Sequence, residues 1–254
     1  MFIEHFNTPY FWLKVRKKNT YFVFDYDGTL SPIVSDPEMA FLRPRTKILL
    51  DHLYKVSKIG IISGRSLSDL KTRIEFKTDF LSGTHGLESP FSSGKEHKEY
   101  QAFFKDLQNV LKDIYPELFF EKKAVGFTVH YRKTENSKVI IRELLELLET
   151  FPEIKIIGGK KVLNILPNRP HNKGWVMEKL LQKNPHSHFI YIGDDTTDED
   201  IFKIRNDRLI SIRIGKSSKT SAPLYIHGQK EIDQFLWSVL SFKGISIPPQ
   251  FETK

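Results

Sequence analysis

Tyr21-Phe22-Val23-Phe24-Asp25-Tyr26-Asp27-Gly28-Thr29-Leu30 is the stretch from which the rest of the chain can be read. A run of four apolar residues has the composition of a strand buried on both faces, and the abrupt change to Asp25, Asp27 and Gly28 marks its junction with a loop. Asp25 and Asp27 stand two apart on extended backbone, so both carboxylates can lie on one side of the strand's end. The turn at Gly28-Thr29 lets backbone N–H groups face the same point.

Working outward, residues from about Pro44 to Val56 have helical spacing, with Ile48, Leu49, Leu53 and Val56 on one face. Ile59-Gly60-Ile61-Ile62 then forms a second buried strand ending at Ser63-Gly64-Arg65, and strand, helix, strand implies parallel pairing. Ser66 to Ile74 is a further helix, and Phe80-Leu81 leads a third strand into Gly83-Thr84-His85-Gly86. The middle of the chain changes character. Tyr100 to Ile114 and Ser137 to Thr150 are helical, whereas Phe119-Phe120, Phe127 to Tyr131 and Ile154 to Ile157 have strand composition, with Gly158-Gly159 expected as a hairpin turn. The fold class predicted is α/β: a Rossmann-like parallel sheet core formed by residues 1–95 and 168–254, with an α+β cap domain, 96–167, inserted. Gly94, Pro167 and Pro170 are expected to punctuate the connections. After the insertion come a helix from Gly174 to Lys183, a fourth strand, Phe189 to Ile192, ending at Gly193-Asp194-Asp195, a fifth at Leu209 to Ile212, and a closing helix from Glu231 to Leu240.

Composition bounds the function. The 254 residues carry 39 Lys and Arg against 31 Asp and Glu, a formal +8 that favours an anionic partner. The lysines are scattered and no nucleic-acid-binding motif is visible, so the expectation is no nucleic acid. With no cysteine there is neither a thiolate zinc site nor a Cys nucleophile. Met1 to Arg16 mixes Glu4, His5, Asn7 and Pro9 into its aromatics and lacks the pattern of a signal peptide, and no run of about 18 apolar residues suggests a membrane span. The expectation is a cytoplasmic protein with no membrane partner.

In an open α/β sheet, polar residues at the carboxyl ends of strands line the crevice where ligands bind. Asp25 and Asp27 at one strand end, with Asp194, Asp195 and Asp198 at another, supply oxygen donors without sulfur or a histidine cluster, which points to a hard cation, Mg²⁺ first. Acids alone repel a phosphate. A divalent cation and a nearby lysine, for which Lys173 is placed, reverse the local field, each close charge pair being worth about 4 kcal/mol at an effective dielectric near 20.

Asp25-Tyr26-Asp27-Gly28-Thr29-Leu30, Ser63, Lys173 and Gly193-Asp194-Asp195-Thr196-Thr197-Asp198 match, in order, the four motifs of haloacid-dehalogenase (HAD) superfamily phosphatases. More narrowly, Ile62-Ser63-Gly64-Arg65, Gly83 to Glu88, Glu121-Lys122-Lys123 with His130-Tyr131-Arg132, and Gly193 to Phe202 resemble trehalose-6-phosphate phosphatases. The resemblance implies that Asp25 is the nucleophile, that Asp27 protonates the leaving oxygen and later activates water, and that Lys173 neutralises the intermediate. It implies Mg²⁺ on Asp25, on Asp27 through its backbone carbonyl, and on Asp194, with Asp195 and Asp198 behind them. Gly28 and Ser63 would hold phosphate. Arg65, His85, Gly86 and Glu88 from the core, and Glu121, Lys123, His130 and Arg132 from the cap, would hold the sugar. A small-molecule sugar phosphate is the implied partner, and trehalose-6-phosphate synthase a candidate protein partner. Where the family has Glu in a Val-x-Glu-x-x-Pro pattern, this chain has Asn164 within Val162-Leu163-Asn164-Ile165-Leu166-Pro167. Asn still hydrogen-bonds a hydroxyl but offers no anionic acceptor, a difference of about 1.5–3 kcal/mol per charge-assisted bond.

Each piece alone has a plainer reading. Asp-x-Asp-Gly is often a turn, the later aspartates can cap a helix, and Glu121, Lys123, His130 and Arg132 can be cross-strand charge pairs. The rival functions are a phosphatase for another sugar phosphate and an inactive phosphatase fold partnering a glycosyltransferase.

Overall fold

The protein is described by a computed structural model covering residues 4–17, 19–92, 94–123, 125–132, 134–159, 161–168 and 171–246, the backbone only for 94–97. The elements begin with β1 (Glu4–His5), α1 (Pro9–Val15), β2 (Thr20–Phe24), α2 (Pro44–Tyr54), β3 (Lys58–Ile62), α3 (Leu67–Arg73) and β4 (Phe80–Ser82). Next come α4 (Gly94–Ile114), β5 (Phe119–Lys122), β6 (Phe127–His130), α5 (Ser137–Leu148), β7 (Ile154–Gly159) and β8 (Val162–Pro167). The chain continues with α6 (Lys173–Lys183), β9 (His188–Gly193), α7 (Glu199–Phe202), β10 (Leu209–Ile214), β11 (Leu224–Ile226) and α8 (Ile232–Phe242). Two compact units result, one from Met1–Ser89 with His171–Lys254, the other from Pro90–Pro170.

The first unit is built on a seven-stranded sheet, order β1-β11-β10-β9-β2-β3-β4, in which every pairing is parallel. All five residues of β2 are buried because it is central and covered on both faces, which is why its sequence is a continuous apolar run. Phe22, Phe24, Ile59, Ile61, Ile190, Ile192, Ile210 and Ile212 point to one face and pack with Leu49, Leu53, Phe235, Leu236 and Val239 of α2 and α8. Parallel pairing puts all carboxyl ends at one edge. Phe24 lies opposite Ile61 on one side and Ile192 on the other, and the Asp25 N–H donates to Ile192 O at 2.9 Å, so the residues after β2, β3 and β9 are brought side by side.

The second unit has an antiparallel sheet, order β5-β6-β8-β7. Phe120, Phe127, Val129, Leu163 and Ile165 lie on its apolar face and cluster with Phe104, Leu107 and Leu111 of α4 and Ile141, Leu144 and Leu148 of α5. On the other face, Glu121 pairs with Thr128, and Thr128 with Asn164, in one row across three strands. No helix among the described residues is long and apolar enough to cross a membrane.

One local expectation is corrected. Gly158 and Gly159 belong to β7, opposite Leu163 and Val162, so the hairpin turns after the glycine pair and Lys161 takes φ +65°. Gly94 opens α4 and Pro167 closes β8 opposite Ile154, an end position where its missing N–H is tolerated. Pro170 lies outside the described residues. The parallel sheet also has two strands that were not predicted, β1 and β11.

Candidate active site

Four side chains meet at the carboxyl edge of the parallel sheet: Asp25 after β2, Asp194 after β9, Asp198 on the 3-10 turn Thr196–Asp198, and Lys173 at the start of α6. Lys173, the first residue of α6, is 2% exposed, and its ammonium donates to Asp25 Oδ1 at 2.9 Å and Asp198 Oδ1 at 2.6 Å. Asp198 is held further by the Tyr191 hydroxyl at 2.6 Å and, through Oδ2, by the Asp195 N–H at 2.8 Å. Asp25, Asp194 and Asp198 each offer a carboxylate oxygen, all within 4.8 Å of one another. Three carboxylates against one ammonium leave a formal excess of two negative charges. An all-oxygen donor set with that excess fits a divalent hard cation such as Mg²⁺. The Asp198 oxygens are already engaged, so Asp25 and Asp194 are the carboxylates with capacity for an ion, and Asp198 serves to orient Lys173.

Electrostatics follows from burial and this shared charge. Burial pushes the Asp25 carboxyl well above the usual range, Lys173 pulls it down, and Asp198 and Asp194 push it up again. Asp194 is pushed up to about 7, by burial first and then by Asp198 and Asp195, against Lys173 and a hydrogen bond from Thr29 Oγ1. Burial disfavours the Asp198 charge too, but the Lys173 charge and the bonds from Lys173, Tyr191 and Asp195 hold it below its ordinary value. For Lys173, burial opposes the charge and the two aspartates outweigh it, so the ammonium is retained. The Gly28 turn has φ +78°, and a Cβ there would stand 2.1 Å from Asp194 Oδ2, so glycine is required both by conformation and by the close approach of that carboxylate.

The Asp27 carboxylate is not in this cluster. Arg65 grips it bidentately, Nε and Nη2 each at 2.7 Å, while Nη1 reaches Asp69 Oδ2 at 2.7 Å and Nη2 also donates to Pro37 O at 2.7 Å. Asp69 is braced in turn by Arg73 Nε at 2.7 Å. Burial alone would raise the Asp69 carboxyl, but Arg65 and Arg73 bring it below its ordinary value. Arg65 therefore directs four of its five N–H donors to Asp27, Asp69 and Pro37 O. Ser63 is buried after β3, with Oγ accepting the Arg65 N–H at 3.2 Å. Thr84 and His85 have φ +48° and +54°, a locally strained pair at the same edge. Gly86 has φ +106°, and a Cβ there would lie 2.7 Å from Asn172 O, which lets this loop pack on the start of α6 beside Lys173. Glu88 Oε2 accepts from the Leu67 N–H at 2.9 Å and the Thr84 hydroxyl at 2.6 Å, so it fastens the loop to α3. Asp195 is exposed and caps the turn Thr196–Asp198 through the Thr196 N–H at 2.6 Å.

A family model described as trehalose-phosphatase matches residues 23–230. The chain belongs to the trehalose-phosphatase family. Its chemistry is that of a phosphoric monoester hydrolase. Probable trehalose-phosphate phosphatase E of Arabidopsis thaliana is 29% identical over 256 aligned positions, covering 91% of this chain and 72% of that protein. The trehalose-phosphate phosphatase of Mycobacterium tuberculosis is 31% identical over 195 positions, covering 71% of this chain and 50% of its own length. Among solved structures, the C-terminal domain of C. albicans trehalose-6-phosphate phosphatase superimposes with a TM-score of 0.75 at 23% identity, covering 96% of this chain and 100% of that one. A haloacid dehalogenase-like hydrolase from Bacteroides thetaiotaomicron gives 0.65 at 13% identity, covering 87% and 100%, so the fold extends to HAD-like hydrolases.

In this trehalose-phosphatase the second unit gathers its own polar group. Glu121 receives Lys123 Nζ on Oε1 and His130 Nε2 at 2.7 Å on Oε2. Burial raises the Glu121 carboxyl, but Lys123 and His130 outweigh it and hold it below its ordinary value. Asn164 accepts the Thr128 hydroxyl at 2.7 Å and turns Nδ2 toward Ile157 O at 3.4 Å. Arg132 is exposed and is not joined to this group among the described residues.

Two kinds of site residue escape sequence reasoning. Tyr191 sits in an apolar strand and reads as core, its only signal being a hydroxyl that a buried site must satisfy. Asp69 and Arg73 hold Arg65 from α3, and their signal is the i, i+4 spacing of Arg65, Asp69 and Arg73.

Proposed function

We propose that this protein hydrolyses trehalose 6-phosphate to trehalose and inorganic phosphate through an aspartyl-phosphate on Asp25, with Mg²⁺ as its cation. The observation that carries the reading is the approach of Asp25 and Asp194, from β2 and β9, to within 4.8 Å, with Lys173 bound to Asp25. An Asp25 oxygen attacks phosphorus as the bond to the sugar oxygen breaks, and Asp27 gives that oxygen a proton. Asp27 then takes a proton from water, whose oxygen attacks the phosphoryl group, the P–O bond to Asp25 breaks, and phosphate leaves. Lys173 offsets the charge gathered on the phosphoryl oxygens, and Ser63 Oγ and the amides near Gly28 hold them. Asp25 and Asp194 would hold Mg²⁺, with the Asp27 carbonyl as a third ligand; when bound, it supplies Lewis-acid charge at the phosphate.

The domain reading belongs to the same proposal. Residues 96–167 act as a cap, and Glu121, Lys123, His130 and Asn164, on one face of its sheet, hydrogen-bond the sugar hydroxyls. Support for the sugar comes from the family and from the polar row ending at Asn164. The experiment is a phosphate-release panel with and without Mg²⁺ over trehalose 6-phosphate, sucrose 6-phosphate, glucose 6-phosphate and mannose 6-phosphate, repeated with Asp25→Asn and Glu121→Ala. Preference for trehalose 6-phosphate that needs Mg²⁺ and Asp25, and that flattens in Glu121→Ala, is expected. Equal low rates on all four sugars overturn the substrate, and turnover by Asp25→Asn overturns the nucleophile.

A further inference from the structure

Besides the catalytic cluster, the described residues include a second group of metal-ligating side chains, His5, His227 and Glu231, whose donor atoms lie within 4.8 Å of one another. They come from three pieces of chain. His5 ends β1, His227 follows β11, and Glu231 ends the 3-10 turn Gln229–Glu231 that opens into α8. Parallel pairing of His5 with Tyr225 sets the two histidines side by side, with ring centroids 5.0 Å apart and planes at 27°. Two imidazoles bound tetrahedrally to one zinc at about 2.0–2.1 Å bring their ring centres to roughly that same spacing, about 5 Å. Glu231 adds a carboxylate oxygen to the pair.

The donor set differs in kind from the aspartate cluster. Imidazole nitrogen suits Zn²⁺, Co²⁺, Ni²⁺ and Cu²⁺, whereas Mg²⁺ prefers oxygen throughout. The Asn7 N–H donates to His5 Nδ1 at 3.5 Å, a long bond that an ion can displace. In the sheet, β10 and β9 separate β11 from β2. Three strand spacings at about 4.8 Å place this group roughly 14 Å from the nucleophile's strand, so it is a site of its own.

We propose that His5, His227 and Glu231 form a second metal site that takes a borderline transition cation, Zn²⁺ or Co²⁺, and clamps β1 to the connection between β11 and α8. β1 has two residues and is held at the sheet edge by backbone bonds such as Glu4 N–H to Pro223 O at 3.1 Å and Phe6 N–H to Tyr225 O at 3.0 Å. A three-ligand ion adds a cross-link that so short a strand cannot supply. The clamped connection also supports the nucleophile's loop, because Gln229, between the two ligands, donates Nε2 to Thr29 O at 3.3 Å and Leu30 O at 3.1 Å.

The test is Co²⁺ titration of untagged full-length protein in saturating Mg²⁺, read by visible ligand-field bands and calorimetry, with Zn²⁺ thermal melts alongside. Wild type and Asp194→Asn should both bind a Co²⁺ ion with nitrogen-ligand bands, and Zn²⁺ should raise their melting temperatures. His227→Ala removes an exposed ligand outside the core. It should melt normally without metal, lose Co²⁺ affinity by more than the roughly 10–100-fold that losing an outer-shell partner costs, and lose the Zn²⁺ rise. Glu231→Gln should weaken binding without changing metal-free stability. Absence of Co²⁺ binding by wild type, binding abolished by Asp194→Asn but intact in His227→Ala, or equal affinity in wild type and His227→Ala each overturns the proposal. None of these readouts depends on phosphatase turnover.

Discussion

Replacing Lys173 with Met removes the single cation from a buried group of carboxylates while keeping the volume of the stem. The Lys173 side chain is 2% exposed, and its two partners, Asp25 at 2.9 Å and Asp198 at 2.6 Å, are 6% and 0% exposed. At an effective dielectric near 20, one unit pair at about 3 Å is worth roughly 5–6 kcal/mol before desolvation. Deleting Lys173 also removes its own burial cost, so the net loss should fall in the range of about 3–5 kcal/mol seen when one partner of a buried pair is taken away. With a urea slope of about 3 kcal/mol/M, the unfolding midpoint drops by about 1–1.7 M.

The loss depends on pH, with a definite sign. In the wild type the Asp198 pKa lies below its ordinary value, so its stabilisation is present above about pH 4 and disappears as pH falls through the lower folded value. Without Lys173, burial and the neighbouring carboxylates dominate, so the folded pKa of Asp198 rises above its unfolded value and that of Asp25, already raised, climbs further. The folded variant then binds more protons than the unfolded one, and its stability declines as pH rises. The gap between the two proteins is therefore widest near pH 7.5 and narrows toward pH 4.5. Urea titrations in EDTA at the two pH values, followed by tryptophan fluorescence, measure it. A midpoint within about 0.3 M of wild type at pH 7.5, or a gap that does not narrow on acidification, would refute the account of Lys173 as the counter-charge.

Two further substitutions read the same site. Arg65→Lys loses the bidentate hold on Asp27, and we expect kcat to fall by about 10- to 100-fold, within what general acid–base catalysis contributes, with KM nearly unchanged. A KM rise at constant kcat would instead place Arg65 on the substrate. Gly28→Ala forces a side chain to φ +78° and toward Asp194 Oδ2 at 2.1 Å, so it should cost about 1–3 kcal/mol and weaken Mg²⁺ binding. Calorimetry that finds wild-type Mg²⁺ affinity would remove Gly28 from the cradle.

The elements legible in the sequence are those whose burial leaves a periodic trace. β2, β3 and β9 are central strands, and their apolar runs followed by Asp25, Ser63 and Asp194 announce both the strand and the polar edge it reaches. β1 and β11 have two and three residues at the sheet's margin, too few for any period to be recognised. The glycine pair 158–159 suggested a turn, yet β7 and β8 stay in register through it, because Ile154 and Ile156 opposite Pro167 and Ile165 anchor the alternation and a glycine costs a strand less than a slipped register.

For the active site the division runs between which residues meet and what each does on meeting. Order along the chain joined Asp25, Lys173, Asp194 and Asp198, and the geometry agrees that they converge. Lys173 carries a further signal: a lysine at the first position of a helix faces the positive end of the dipole, an unfavourable placement that two carboxylates at hydrogen-bond distance explain. Arg65 shows the limit. Its residue type suits a sugar, an acid or a phosphate equally, and only the folded arrangement brings Asp27, Asp69 and Pro37 O to its donors. An arginine engaged in this way fixes where the Asp27 carboxylate points; if Asp27 transfers the proton as proposed, substitutions at Asp69 or Arg73, neither of which reaches Asp27 directly, should alter that transfer through Arg65.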